Sequence, residues 1–365
     1  MEFRTHAEHG DLPVDESLRD TFKSVSAMTV RGNIPVIDIG PIFGPLSHAR
    51  DTIDRRLIGA ASETGFMTIT GFPSCIDVGT AMRSQILRLF NAPGAVLEKL
   101  SSNRQDPSRS PAYRGWFSAR ADRPSYFDGI EIGPDIAHGE RMVDLLDPLK
   151  GPTPMPSEED LPGWRNAVRS YYLGMEYVAD ALIRSMARGL CVPEEYFAAM
   201  FADGISTLRL LRYSRRPDSS KSGLPEEELY VEHDGLKREV VSEAHVDFGF
   251  MTLLVQDGVA GLQARVPDGS WIDIPPTEDH IVVNFGKLLE RWSGGRIRAT
   301  EHRVLSSGRD RFSLPFFYEP QVDAEIAPLP LPDSEQFIPF RYGDHVWSSL
   351  PRLRRRFGER RNKPQ

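Results

Sequence analysis

From residue 207 onward the chain breaks into short apolar runs of strand length, and this crowding limits the fold more than any other feature. The runs cover 207–213, 244–255, 262–266, 271–274, 281–285, 302–305 and 311–318. Many brief strands set apart by turn residues form a sandwich or barrel of the jelly-roll type. Asp268-Gly269 supplies a hairpin turn between two of them. The preceding half reads differently. Leu46, Ala49, Ile53, Leu57 and Ala61 fall at helical spacing. Trp164, Val168, Tyr171, Met175, Val178, Leu182 and Met186 recur every three or four residues, a stripe for core packing. Short strands are expected at 35–39 and 65–72, and a helix from about 78 towards 100, interrupted near Pro93-Gly94. Pro193 opens a shorter helix through Met200. The expected class is α+β: a jelly-roll core flanked by helices, with a helical N-terminal half.

Between these parts, residues 101–156 are rich in Pro, Gly, Arg and Asp and read as a long irregular region. Ser157-Glu158-Glu159-Asp160 resembles a capping box. Four segments are expected: an extension over 1–33, a mostly helical region over 34–204, the jelly-roll core over 205–345, and a basic tail over 346–365 carrying Arg352, Arg354, Arg355, Arg356, Arg360, Arg361 and Lys363.

Composition narrows the partners. Of 365 residues 40% are apolar and 26% charged, as in soluble globular chains, and the net charge of −8 speaks against nucleic acid. No apolar run is long enough for a membrane span. Cys75 and Cys191 are too few for a disulfide scaffold and read as reduced thiols of a cytoplasmic protein. A small-molecule substrate and a monomer or homodimer are expected.

The chemistry concentrates in three residues. His245-Val246-Asp247 lies in an apolar run, and positions i and i+2 of a strand share a face, so imidazole and carboxylate converge. His302 opens another run 55 positions after Asp247. Two histidines and a carboxylate are the set expected of non-haem Fe(II) oxygenases, because three protein ligands leave three adjacent sites vacant on an octahedral ion. Nine residues beyond His302, Arg311-Phe312-Ser313 places a guanidinium fork and a hydroxyl on one strand face, a receptor for a carboxylate.

Several further stretches carry a resemblance: His245-Val246-Asp247-Phe248-Gly249, Gly261-Leu262-Gln263, Val283-Asn284-Phe285-Gly286, Arg291-Trp292-Ser293-Gly294-Gly295, Thr300-Glu301-His302-Arg303-Val304 and Arg311-Phe312-Ser313, with Ile34-Pro35-Val36-Ile37-Asp38 and Gly65-Phe66 near the start. Over most of its length the chain resembles the Fe(II)/2-oxoglutarate-dependent oxygenase superfamily, in its isopenicillin N synthase-like branch. The resemblance implies a double-stranded β-helix and a dioxygenase (an oxidoreductase) of secondary or amino-acid metabolism. It implies Fe(II) on His245, Asp247 and His302, the distal carboxylate of 2-oxoglutarate on Arg311 and Ser313, and the Tyr213 hydroxyl reaching the co-substrate. Oxidative decarboxylation of 2-oxoglutarate by dioxygen then drives hydroxylation, desaturation or ring closure of the substrate.

The branch's Asn-x-Gly-Asp reads Asn284-Phe285-Gly286-Lys287 here, and the stretch 214–243, polar and charged, is longer than this branch usually has: a surface excursion or a lid. Substrate-pocket candidates are Trp116, Tyr126, Phe127, Phe248 and, within the long stretch, His233. Other readings stay open. They are an isopenicillin N synthase-type oxidase without 2-oxoglutarate, whose Arg-x-Ser pair holds a substrate carboxylate; an ethylene-forming fragmentation of 2-oxoglutarate; a non-catalytic β-helix binding module; and a zinc hydrolase.

Overall fold

Alternation along the strands divides the protein into a helix-packed core and a chemical interior. The computed structural model describes residues 34–102, 113–221, 223–331 and 336–350; the expected extension over 1–33 and the basic residues beyond 350 lie outside them. An eight-stranded sheet runs in the order β1 (Val36–Asp38), β2 (Phe66–Thr70), β11 (Ile281–Phe285), β8 (Met251–Gln256), β13 (Arg311–Tyr318), β5 (Thr207–Tyr213), β4 (Asp128–Ile132) and β3 (Gly115–Phe117). A five-stranded sheet faces it, in the order β10 (Trp271–Asp273), β9 (Leu262–Arg265), β12 (His302–Leu305), β7 (Leu236–His245) and β6 (Tyr230–His233). Together they make the jelly roll. The β1–β2 pair is parallel and the other strand pairs of the two sheets are antiparallel.

On the outer face of the large sheet, Leu208, Leu210, Leu253, Val283, Leu314 and Phe316 join the main hydrophobic core. The stripe on the helix Trp164–Gly189 packs there, and all seven of its predicted residues are buried. Period 2 then puts the intervening residues inside. One inner row is continuous in register across five strands: Thr207, Phe317, Thr252, Asn284 and Phe66. The apolar cluster between the sheets is small, built around Leu211, Val241, Leu254, Val282 and Val304, because polar side chains take up the rest of the interior.

The structure departs from the sequence reading in four places. The run 244–255 is two strands, β7 ending at His245 and β8 beginning at Met251. The region 101–156 contributes β3 and β4 to the large sheet, strands too short for pattern reading. Ser157 and Asp160 bond one another in an isolated turn, and the long helix starts only at Trp164, because Pro162 disfavours helix before it and Gly163 sits at φ +70°. The stretch 214–243 forms the β6–β7 hairpin, turning at Asp234 and Gly235, both with positive φ, as a two-residue hairpin loop requires. Buried Arg216 ties it down through the carbonyls of Arg123 and Pro124. The helix expected over 78–100 divides into Thr80–Leu87 and Gly94–Lys99, parting before Gly94 as Pro93-Gly94 predicts.

Candidate metal centre and adjoining cavities

His245 ends β7, His302 begins β12, and the register sets them directly opposite one another, with ring centroids 4.3 Å apart. Asp247 reaches them by another route than the shared strand face expected from its spacing. It lies two residues beyond β7, in the connection to β8. That connection is pinned to the start of the helix Lys287–Trp292: the Lys287 amide donates to the Asp247 carbonyl at 2.8 Å and the Gly286 amide to that of Phe250 at 2.8 Å. The approach is so close that a Cβ on Gly286 would lie 2.2 Å from the Gly249 carbonyl oxygen. The Asn284-Phe285-Gly286-Lys287 segment therefore shapes the site, and its Lys287 acts through its backbone.

The donor atoms suit a divalent cation with nitrogen and oxygen ligands. Nδ1 of His245 contacts the Glu243 carbonyl at 2.8 Å and Nδ1 of His302 that of Thr300 at 3.2 Å. A carbonyl only accepts, so each Nδ1 carries the proton and each Nε2 keeps its lone pair. Both Nε2 atoms stand 3.9 Å from Oδ1 of Asp247. Oδ2 is occupied by donors, Thr252 Oγ1 at 2.6 Å and Asn284 Nδ2 at 2.7 Å. One oxygen and two nitrogens thus lie within 4.8 Å of one another, a group that could share one ion. Burial pushes the Asp247 carboxyl up, but the two imidazoles and the Thr252 and Asn284 hydrogen bonds outweigh it and hold the group below the ordinary value. Burial pushes His302 down, which keeps it neutral as ligation requires.

A chamber of about 90 Å³ joins these three residues to Tyr213, Arg311 and Ser313. Arg311 is 2% exposed; its Nε donates to the Val259 carbonyl and its Nη2 to Gln256, while the buried Nη1 has no hydrogen-bond partner. Burial pushes the guanidinium down, and Tyr213 and Asp257 work against that. Tyr213 faces Arg311 across the β5–β13 pair, its ring centroid 5.2 Å from Cζ. A buried cation with a donor to spare fits the carboxylate expected there.

A second cavity, of about 410 Å³, also borders His245 and Asp247. Phe248 lines it, along with Phe250 and Phe317. An ion pair of Arg209 with Glu131, 2.6 Å apart, belongs to its wall, and Arg209 also borders the smaller chamber. Of the other substrate candidates, Phe127 lines the smaller chamber, edge-on to Tyr213. Trp116, Tyr126 and His233 line neither cavity. Trp116 packs on Phe90 in the core, the Tyr126 ring lies under the Arg216 guanidinium, and His233 pairs with Asp273 on the small sheet. The sequence reading missed Thr252, Asn284, Gln256, Glu319 and Tyr342. A polar residue inside the wholly buried β11 was the available signal for Asn284, and an acid directly after the apolar β13 for Glu319.

Residues 207–320 match the family described as the 2OG-Fe(II) oxygenase superfamily. Over that segment the chain is similar to the Fe(II)/2-oxoglutarate-dependent dioxygenases of that superfamily. Its members use Fe(II), 2-oxoglutarate and dioxygen, and this oxygenase takes the same set. It is 29% identical over 305 residues to a 2-oxoglutarate-Fe(II) type oxidoreductase of Emericella nidulans, hxnY, covering 81% of this chain and 82% of that protein. It is 28% identical over 329 residues to the isopenicillin N synthase of Streptomyces clavuligerus, covering 88% and 95%. A full-length Neurospora crassa protein, crystallised with alpha-KG and thymine, shares the fold at a TM-score of 0.72 and 22% identity, covering 92% of this oxygenase and 99% of its own chain. No helix among the described residues is long and apolar enough to cross a membrane.

Proposed function

We propose that this oxygenase hydroxylates a small molecule seated in the 410 Å³ cavity, with Fe(II) held by Nε2 of His245, Oδ1 of Asp247 and Nε2 of His302. The unpartnered, buried Nη1 of Arg311, opening on the same chamber as the metal residues, carries the reading. Arg311 and Ser313 receive the distal carboxylate of 2-oxoglutarate, and Tyr213 steadies the guanidinium. Bound Fe(II), 2-oxoglutarate and dioxygen supply the oxidising chemistry: one oxygen atom enters the substrate C–H bond, the other enters succinate, and carbon dioxide leaves.

The protein's residues supply placement. Thr252 and Asn284 fix which Asp247 oxygen faces the metal, the Glu243 and Thr300 carbonyls fix the imidazole tautomers, and Phe66 sets the tilt of His302 edge-on at 5.7 Å. The wide cavity, walled by aromatic side chains, holds the substrate beside His245 and limits water. A chamber of about 90 Å³ between Arg311 and the metal residues has room for a co-substrate carboxylate, and relatives described as 2-oxoglutarate-dependent support 2-oxoglutarate use over the isopenicillin N synthase-type oxidation. Free Cys75 and Cys191 support a cytoplasmic location. Screening small molecules for succinate release tests the assignment. Release is expected to require a substrate and to vanish in Asp247→Ala; succinate formed by Asp247→Ala at the wild-type rate would overturn it.

A further inference from the structure

The small sheet carries a second group of ligand-type side chains, and it shares no residue with the metal centre described above. His233 ends β6, Asp234 opens the hairpin turn that follows, and Asp273 ends β10, 40 positions beyond the histidine. Nε2 of His233 stands 3.1 Å from Oδ2 of Asp273 and 3.5 Å from Oδ2 of Asp234. One donor atom from each residue lies within 4.8 Å of the other two. A tetrahedral zinc ion with nitrogen and oxygen ligands sets neighbouring donors about 3.4 Å apart. The two spacings at His233 bracket that value.

A buried side chain orients one of the acids. Gln263 is 0% exposed, and its Nε2 donates to Oδ1 of Asp273 at 2.9 Å. Its Oε1 accepts in turn from Nε of Arg303 at 2.8 Å, and the Arg303 guanidinium lies over the Trp271 ring at 4.1 Å. With Oδ1 held from below, Oδ2 is the oxygen left towards His233. Asn284 divides the two oxygens of Asp247 in the same way.

Charge balance points to a divalent cation. Among the described residues, neither aspartate forms an ion pair with a lysine or an arginine, and the two share the single imidazole. One imidazolium offsets one carboxylate, whereas a doubly charged ion offsets both and takes the imidazole as a neutral ligand. Both aspartates are exposed, so an ion enters directly from solvent and water completes its coordination. Imidazole with carboxylate suits zinc, while magnesium prefers an all-oxygen shell.

We propose that His233, Asp234 and Asp273 form a second metal site, which binds zinc and clips the tip of the β6–β7 hairpin to β10. The site is independent of the Fe(II) assignment.

Hydrogen exchange of the full chain, with and without micromolar zinc, tests the clip. Zinc is expected to slow exchange in the wild type over 230–236 and 271–273 by about tenfold or more, as an ion that binds only the closed arrangement does. It is expected to have no such effect in His233→Ala or in Asp273→Asn, whose changed side chains lie at the surface. Magnesium at the same concentration is expected to leave exchange unchanged. Calorimetry of the His245→Ala/His302→Ala variant then counts ions without the other centre. One zinc per chain is expected, with affinity falling at least about tenfold when His233→Ala is added, as when a metal ligand's support is lost. No slowing by zinc, equal slowing in His233→Ala, or equal slowing by magnesium would each overturn the proposal, since an ion pair of His233 with Asp273 alone predicts them. Absence of zinc from a folded His245→Ala/His302→Ala variant would overturn it too. If that variant fails to fold, the exchange measurements on the wild type, His233→Ala and Asp273→Asn decide.

Discussion

Asn284 donates from Nδ2 to Oδ2 of Asp247 across 2.7 Å, and the oxygen it engages is the one that does not face His245 and His302. Together with Thr252 it leaves Asp247 one oxygen, Oδ1, for the proposed ion. Outer-shell partners of this kind typically change metal affinity by about 10- to 100-fold. Asn284→Ala is therefore expected to weaken Fe(II) binding by about 10-fold or more with the fold retained, read from the Fe(II) dependence of succinate release.

Arg311 is buried and already bonded on two of its three nitrogens, so a lysine there cannot reproduce the fork. Arg311→Lys is expected to raise the KM for 2-oxoglutarate by about 10- to 100-fold, matching the loss of a hydrogen bond to a charged group, and to leave Fe(II) affinity close to wild type. Initial rates at varied 2-oxoglutarate read this directly.

Gly286 offers a way to disturb the proposed metal residues without touching one. A methyl group at this position collides with the Gly249 carbonyl, which is backbone and cannot rotate away. Gly286→Ala is expected to cost about 1–3 kcal/mol of stability through overpacking and to weaken Fe(II) binding, because the displaced segment carries Asp247. Chemical denaturation and Fe(II) titration of the one variant measure both effects.

Alternation along β13 separates stability from chemistry. Phe316 is fully buried on the helix side, whereas Arg311 and Ser313 face the chamber. Phe316→Ala is expected to cost about 3–5 kcal/mol of folding free energy and to leave the affinity for 2-oxoglutarate unchanged in the folded protein.

Glu319 also sets a pH dependence. Its carboxyl stands at about 8 when folded against an ordinary 4.5, so the folded state holds the proton more tightly. Stability from this group is complete below about 4.5 and is lost as pH rises through about 8. Glu319→Gln removes the effect. Its melting temperature is expected to gain on the wild type steadily between these two pH values, as measured by calorimetry.

How much of this was legible in the sequence follows from which contacts are local. His245 and Asp247, with His302 at the head of another apolar run, pointed to the proposed metal residues, and Arg311-Phe312-Ser313 to the proposed carboxylate receptor. Spacing along a strand does not place Asp247, since the backbone bonds from Gly286 and Lys287 bring it in after β7 has ended. Thr252 and Asn284 were hidden because they act on Asp247 through strand register, which single-sequence pattern does not fix. The Glu319–Tyr342 pair depends on where the last described helix docks, 23 positions further on. Trp116 and Tyr126 looked like pocket residues because irregular, aromatic sequence often lines entrances, but β3 and the cation of Arg216 place them in packing roles.

Anaerobic spectroscopy of the purified protein mixed with Fe(II) and 2-oxoglutarate probes the metal assignment without needing a substrate. Wild type is expected to develop the weak visible charge-transfer band of 2-oxoglutarate chelated to iron, with His245→Ala, Asp247→Ala and His302→Ala failing to form it at the same concentrations. A wild-type protein without the band, or an Asp247→Ala variant that forms it undiminished, would refute a shared ion on these three side chains.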